Sequence, residues 1–165
     1  MGAESDLRER RALIVSIIHA RAKALKEWDI EIKFPVEFAI ERTPVSVQSK
    51  NSASKENWKQ QVKQAARDAA GHGTWATSSP VFVTIYYFPF GPMQGDVDNI
   101  VKLIIDGMIG PIYVDDRQIQ RVIVQKFEGD GLFEIDDPTP ALARVIESEP
   151  PCVYIRIDTS SSANE

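Results

Sequence analysis

The sequence predicts an α/β (α+β) single domain: a β-α-β-α-β-β core with a mixed sheet packed by helices, plus an N-terminal helix. Three observations predict it. The length of 165 residues is that of one ordinary domain. A composition of 43% hydrophobic and 26% charged residues is a globular balance, and it excludes disordered, collagen-like and mucin-like chains. Segments that alternate with a period of two are interleaved with segments of helical period, so strands and helices follow one another along the chain.

Residues 5–28 read as a helix, with Asp6 as its cap and Glu9 three residues on in a capping-box arrangement. Ile14, Ile17, Ile18, Leu25 and Trp28 form one apolar stripe, suited to packing on the domain or on a partner subunit. Residues 34–41 read as a strand, because Phe34, Val36, Phe38 and Ile40 alternate with Pro35, Glu37, Ala39 and Glu41. A Ser-rich loop over 43–54 carries Pro44 and Lys50, and a helix over about 54–70 is closed by Gly71. Residues 80–88, PVFVTIYYF, are apolar and aromatic on both faces, as in an interior strand. A Pro/Gly loop leads into a helix over 99–109, stopped by Gly110-Pro111. An alternating strand over 119–127, an acidic loop over 128–137, a short helix over 138–147 and a last strand over 152–157 complete the core. The expected division is a helical extension at 1–33, the globular domain at 34–158 and a polar tail at 159–165.

Several function classes fall away. A single cysteine, Cys152, excludes an internal disulfide framework and a cysteine-rich zinc site, and two histidines leave little for a His-Cys metal site. No apolar run approaches the roughly 18–20 residues that span a bilayer. The run ALIVSII at 12–18 is short for a signal peptide, and Glu4, Asp6 and Glu9 contaminate the segment that should be basic. The expectation is a soluble cytoplasmic protein with no membrane partner. The net charge is −5, yet residues 1–70 hold 13 basic and 10 acidic residues while 71–165 hold 6 and 14. Such asymmetry suits a protein that holds a polyanion on one segment and cations on another.

The chemistry concentrates in residues 95–119, GDVDNIVKLIIDGMIGPIYVDDRQI. Asp96 and Asp98 are two apart in a segment expected to be extended, so their carboxylates should share a side. Asp115 and Asp116 arrive after a helix and a tight turn, and Asp116 meets the first pair if the helix doubles back. Three carboxylates without histidine or cysteine make a hard oxygen site, suited to Mg²⁺ with Mn²⁺ as substitute. The plainer alternative is that Asp98 or Asn99 caps the helix. Lys102 lies four residues after Asp98 and four before Asp106, on one helix face. It is either an ammonium that reaches a phosphate or one half of a surface pair with Asp106 worth about 0.3–0.5 kcal/mol. Lys55, Lys59, Lys63 and Arg67 recur every four residues. With Lys50 they could track a phosphate backbone, or they form a solvated helix face. Trp58 and Val62 are expected to face the core, with a place for Trp58 near DNA as the alternative.

These residues carry a resemblance. The ordered pattern Asp96, Asp98, Asn99, Lys102, Asp106, Gly110, Asp115, Asp116, Gln118, Ile119 resembles that of the RusA-type Holliday-junction resolvases, and TPVSVQSKNSASKENWKQQV resembles the family's basic loop and helix. The likeness covers about residues 34–158; residues 1–33 and the acidic loop depart from it. It implies a metal-dependent endonuclease, active as a homodimer, that nicks two strands of a four-way DNA junction symmetrically in recombination and repair. By position, Asp96, Asp98 and Asp116 match the catalytic metal-binding carboxylates and Lys102 the catalytic lysine. Asp115, matching the less critical member of the Asp-Asp pair, and Asp106 would support them. Three alternatives stand beside this: a related metal-dependent nuclease of another nucleic acid, a non-catalytic DNA-binding module of the same fold, and a protein-interaction module built around the N-terminal helix.

Overall fold

The computed structural model describes residues 10–19, 30–92, 96–129 and 135–159. Its strands are β1 (Ile30–Glu31), β2 (Val36–Ile40), β3 (Thr74–Trp75), β4 (Val81–Phe88), β5 (Ile119–Lys126) and β6 (Cys152–Thr159). Its helices are α1 (10–19), α2 (Ser52–Ala70), α3 (Asp98–Met108) and α4 (Pro140–Glu147). The main sheet is mixed, in the order β2-β6-β4-β5. β6 runs antiparallel to both β2 and β4, and β4 runs parallel to β5. A parallel pair needs a crossover connection, and α3 provides it between β4 and β5.

Alternation decides which face is buried. Val36, Phe38 and Ile40 of β2 point with Val81, Val83 and Ile85 of β4 and Ile155 and Ile157 of β6 into one core. α2 closes that core with Trp58, Val62 and Ala66, four residues apart, and α3 with Ile100, Leu103, Ile104 and Met108. The opposite face carries a smaller cluster, in which Leu142 and Val145 of α4 meet Phe88, Cys152 and Tyr154. There the half-buried Glu37 carboxylate gathers donors. It accepts from Tyr154, from Thr139 at 2.8 Å and from Arg156 at 3.4 Å, which ties the cap of α4 to the sheet.

The expected core elements are all present, with shifted ends. α2 starts two residues early because Asn51, not a serine, accepts the Ser54 N–H at 3.0 Å. β6 runs on to Thr159 through pairing with Val81, so the residue expected to open the tail belongs to the strand. The parallel pair β1–β3 was not expected; two residues per strand are too few to carry a period. On α1, the stripe residues Ile14, Ile17 and Ile18 are 55–60% exposed, so this part of the stripe does not pack on the domain. Helices α2, α3 and α4 already occupy the two sheet faces. The Asp6 cap and the stripe's Leu25 and Trp28 lie outside the described residues.

Gly107 sets the distance between α2 and α3. A Cβ there would stand 2.7 Å from Val62 Cβ and 2.9 Å from the Lys59 carbonyl oxygen. A mid-helix glycine costs about 0.5–1 kcal/mol, but burying one side chain such as Val62 contributes about 1.5–3 kcal/mol, so the close approach wins. Gly107→Ala should therefore destabilise the protein by about 1–3 kcal/mol, since the opposing carbonyl cannot rotate aside. Urea unfolding measures it; an unchanged midpoint would mean the helices have room.

Candidate functional site

The reactive side chains sit on the solvent face of α3 and on the turn that follows it. Asp98 is the first residue of α3, and Lys102 and Asp106 follow at one-turn intervals. After α3, Gly110 takes φ +94°, a left-handed conformation that costs a glycine little. The chain turns through the buried Ile112 and Tyr113 and reaches a single 3₁₀ turn, Asp116–Gln118. This return places Asp116 Oδ2 3.0 Å from Lys102 Nζ, and Asp106 Oδ1 lies 2.7 Å from the same nitrogen. The chain does double back, but it brings Asp116 to Lys102 and, among the described residues, not into a three-carboxylate group with Asp96 and Asp98. The surface pair Lys102–Asp106 forms as well.

The ammonium and its carboxylates are exposed enough to meet a ligand: 53% for Lys102, 29% for Asp106 and 42% for Asp116. Asp106 first, then Asp116, hold the Lys102 pKa above its ordinary value by hydrogen bonding to the charged form. Beneath them the Tyr113 hydroxyl donates to the Ile105 carbonyl at 2.8 Å. Burial raises its pKa and the charges of Asp116 and Asp106 raise it further, so the phenol stays protonated. Asp115 faces another partner. Its carboxylate accepts from Arg117 Nε at 3.0 Å, from Nη2 at 3.1 Å and from the Arg117 backbone N–H at 2.9 Å. Arg117 holds Asp115 down at about 2, which makes it an anionic brace of the turn at any working pH.

Two expectations are corrected here. Val97 has φ −64° and ψ −27°, so residues 96–98 are already helical in direction and not extended; the same-side argument for Asp96 and Asp98 does not apply. Neither Asp98 nor Asn99 caps α3: the cap position is Val97, with no side-chain cap bond. Asp96 and Asp98 are exposed, while Asn99 is buried. The carbonyl of Asp96 accepts from the Asn99 N–H at 3.1 Å. Among the described residues no three acidic, histidine or cysteine side chains gather into a group that could hold a metal ion. What gathers is one ammonium between two carboxylates. The donor chemistry nevertheless suits a hard cation, since every candidate ligand is a carboxylate oxygen and neither Asp96 nor Asp98 is consumed by a cap.

The basic segment adjoins the head of α3. Val47 N–H donates to the Asn99 carbonyl at 2.8 Å, and Lys55 Nζ reaches the Val47 carbonyl at 3.4 Å. Lys50 is exposed at the end of that loop. Lys59 pairs with Glu56 at 2.7 Å and feels the charge of Asp106, which links the stripe electrostatically to the carboxylates. Lys63 is half-buried and Arg67 exposed. Thr43, Pro44, Tyr87, Pro89, Phe90 and Ile100 line a groove beside the loop. Sequence reasoning missed the supports, Gly107 and Tyr113, and the role of Gln118. The spacing Asp115-x-x-Gln118 is a capping-box signal that could have revealed the last.

A mixed sheet whose crossover helix exposes carboxylates and an ammonium, next to a basic loop, defines an α/β protein with a charged, solvent-exposed face. The chain belongs to the RusA family of Holliday-junction endodeoxyribonucleases: the family model described as Endodeoxyribonuclease RusA matches residues 38–135. No curated protein matches the chain. Among the described residues no helix is long and apolar enough to cross a membrane.

The Lys102 arrangement makes a prediction independent of activity. The nearer partner should matter more, so Asp106→Asn should lower the Lys102 pKa further than Asp116→Asn does. NMR titration of the lysine side chains measures this; identical titrations in wild type and both variants would contradict the pairing.

Proposed function

We propose that the protein is a divalent-cation-dependent endodeoxyribonuclease that resolves four-way DNA junctions by paired symmetric nicks, acting as a homodimer in recombination and repair. The observation that carries this reading is the pairing of Lys102 with both Asp106 and Asp116 at the α3 face of a family member. Asp96, Asp98 and Asp116 are the residues that would hold Mg²⁺ or Mn²⁺, which supplies charge neutralisation at the scissile phosphate and a more acidic bound water.

The chain's own groups have distinct tasks. Lys102 has two carboxylate partners, so it can release Asp116 and stay anchored by Asp106 at 2.7 Å. Its ammonium then neutralises charge that develops on the phosphate oxygens, where a fixed cation acts most strongly in the transition state. Its raised pKa keeps the proton in place through neutral and alkaline working conditions. Two exposed ion pairs contribute little to stability, so their arrangement is better explained by the reaction than by the fold. Lys50, Lys55, Lys63 and Arg67 hold the DNA arms by phosphate contacts, and Lys59 joins them once Glu56 lets go. A two-fold dimer presents two sites to a two-fold junction.

The test is paired on one substrate, a four-way junction. Asp98→Asn should bind the junction in Ca²⁺ as wild type does and lose cleavage in Mg²⁺ by at least ~100-fold. Near-normal cleavage by that variant would remove Asp98 from the site. In the same binding assay at several salt concentrations, Lys50→Ala with Lys63→Ala should flatten the slope of log affinity against log salt by about 0.9 for each phosphate no longer neutralised. An unchanged slope would return those lysines to a solvated face.

A further inference from the structure

We propose that Gln118 is a positioning residue of this site, holding the Asp116 turn in register by clamping it to the segment before β4. The role rests on the nuclease reading above and specifies how Asp116 is kept in place.

Gln118 spends its whole hydrogen-bonding capacity on backbone. Its Oε1 accepts from the N–H groups of Val114 and Asp115, each at 2.9 Å. Its Nε2 donates to the carbonyls of Thr77 at 2.8 Å and Ser79 at 2.9 Å. A side-chain amide offers two acceptor sites and two donors, and all four are used. The partners also fix which end is which, because the amide turned over would set N–H against N–H and oxygen against carbonyl. Glutamate, asparagine or methionine cannot make all four contacts.

The clamp spans two segments far apart in sequence. Residues 77–79 lead directly into β4, and residues 114–115 lead directly into Asp116. Below the clamp the same segments are joined once more, by Thr77 N–H to the Ile112 carbonyl at 2.8 Å. The buried Tyr113, bonded to Ile105, fixes the turn to α3. The lower part of the turn is therefore secured without Gln118. The part that carries Asp116 has the Asp115–Arg117 brace, which is internal to the turn, and Gln118 ties it to residues 77–79. Loss of the clamp would let the braced turn shift against β4 and leave the core in place. Asp116 must reach a point 3.0 Å from Lys102, and groups that orient a reacting or ligating carboxylate typically matter 10–100-fold.

The experiment compares Gln118→Ala, Gln118→Glu and Asp116→Asn with wild type on a four-way junction. It measures thermal midpoint, affinity in Ca²⁺, kcat, and the Mg²⁺ concentration giving half-maximal rate. Gln118→Ala should keep affinity within about twofold, lower kcat by 10–100-fold and need several-fold more Mg²⁺. Gln118→Glu keeps the acceptor half and loses the donor half, so it should fall between. It also serves if the alanine variant is poorly folded. A fall in thermal midpoint with kcat and Mg²⁺ dependence unchanged below it would overturn the proposal and leave Gln118 a stability residue. Asp116→Asn separates the two readings. If it is inactive while both Gln118 variants behave as wild type, the clamp proposal fails and the nuclease reading stands. If it cleaves normally, the nuclease reading of the site fails, and the clamp's role with it.

Discussion

The contact between Lys102 and Asp116 joins two pieces of chain 14 residues apart, and the local structure between them serves to bring it about. The crossover helix must lie close to α2, which the missing Cβ of Gly107 permits. The chain must then reverse within a few residues, which Gly110 permits through its positive φ. Tyr113 packs under the carboxylates with its hydroxyl committed to the helix, so the turn cannot drift from α3. These are constraints on backbone shape more than sources of stability. Each is small beside the burial of the apolar faces of β2, β4 and β6.

Charge follows the same division of labour. The acids that face solvent on α3 would repel one another if left alone, and Lys102 stands among them as the compensating cation. Asp115, adjacent to Asp116 in sequence, is removed from that balance by Arg117. Two neighbouring aspartates thereby acquire different environments, one bracing the turn and one facing the lysine. On the other side Val47 fastens the basic loop to the head of the acidic helix, so positive and negative surface meet at one end of the sheet. An overall net charge of −5 hides this juxtaposition.

Much of this was legible in the sequence. The alternation in Val36–Ile40, the two-faced apolar run of β4 and the core-facing Trp58 and Val62 of α2 are direct consequences of burial, and the structure has them. The fold class followed from such segments, and the family resemblance from the ordered polar pattern between Asp96 and Ile119. Conformation at single positions was less legible. Residues 96–98 read as extended, but Val97 turns helical because α3 begins at Asp98, and periodicity cannot resolve a boundary that fine. The same limit hid β1 and β3. A return of Asp116 toward Asp96 and Asp98 was foreseen as a condition, but its arrival at Lys102 and the supports of the turn were not, because a glycine at a helix crossing and a glutamine bonded to four backbone groups leave no periodic trace.

The central claim is that the α3 face and the Asp116 turn act as one unit. A double-mutant cycle on junction cleavage tests it most directly, with Lys102→Ala, Asp116→Asn and the pair compared by kcat under saturating DNA. Groups that work together are strongly non-additive. The account predicts that the double variant is little slower than the slower single variant. Rate reductions that simply multiply would contradict it, and would mean that Lys102 and Asp116 are neighbours without a shared task.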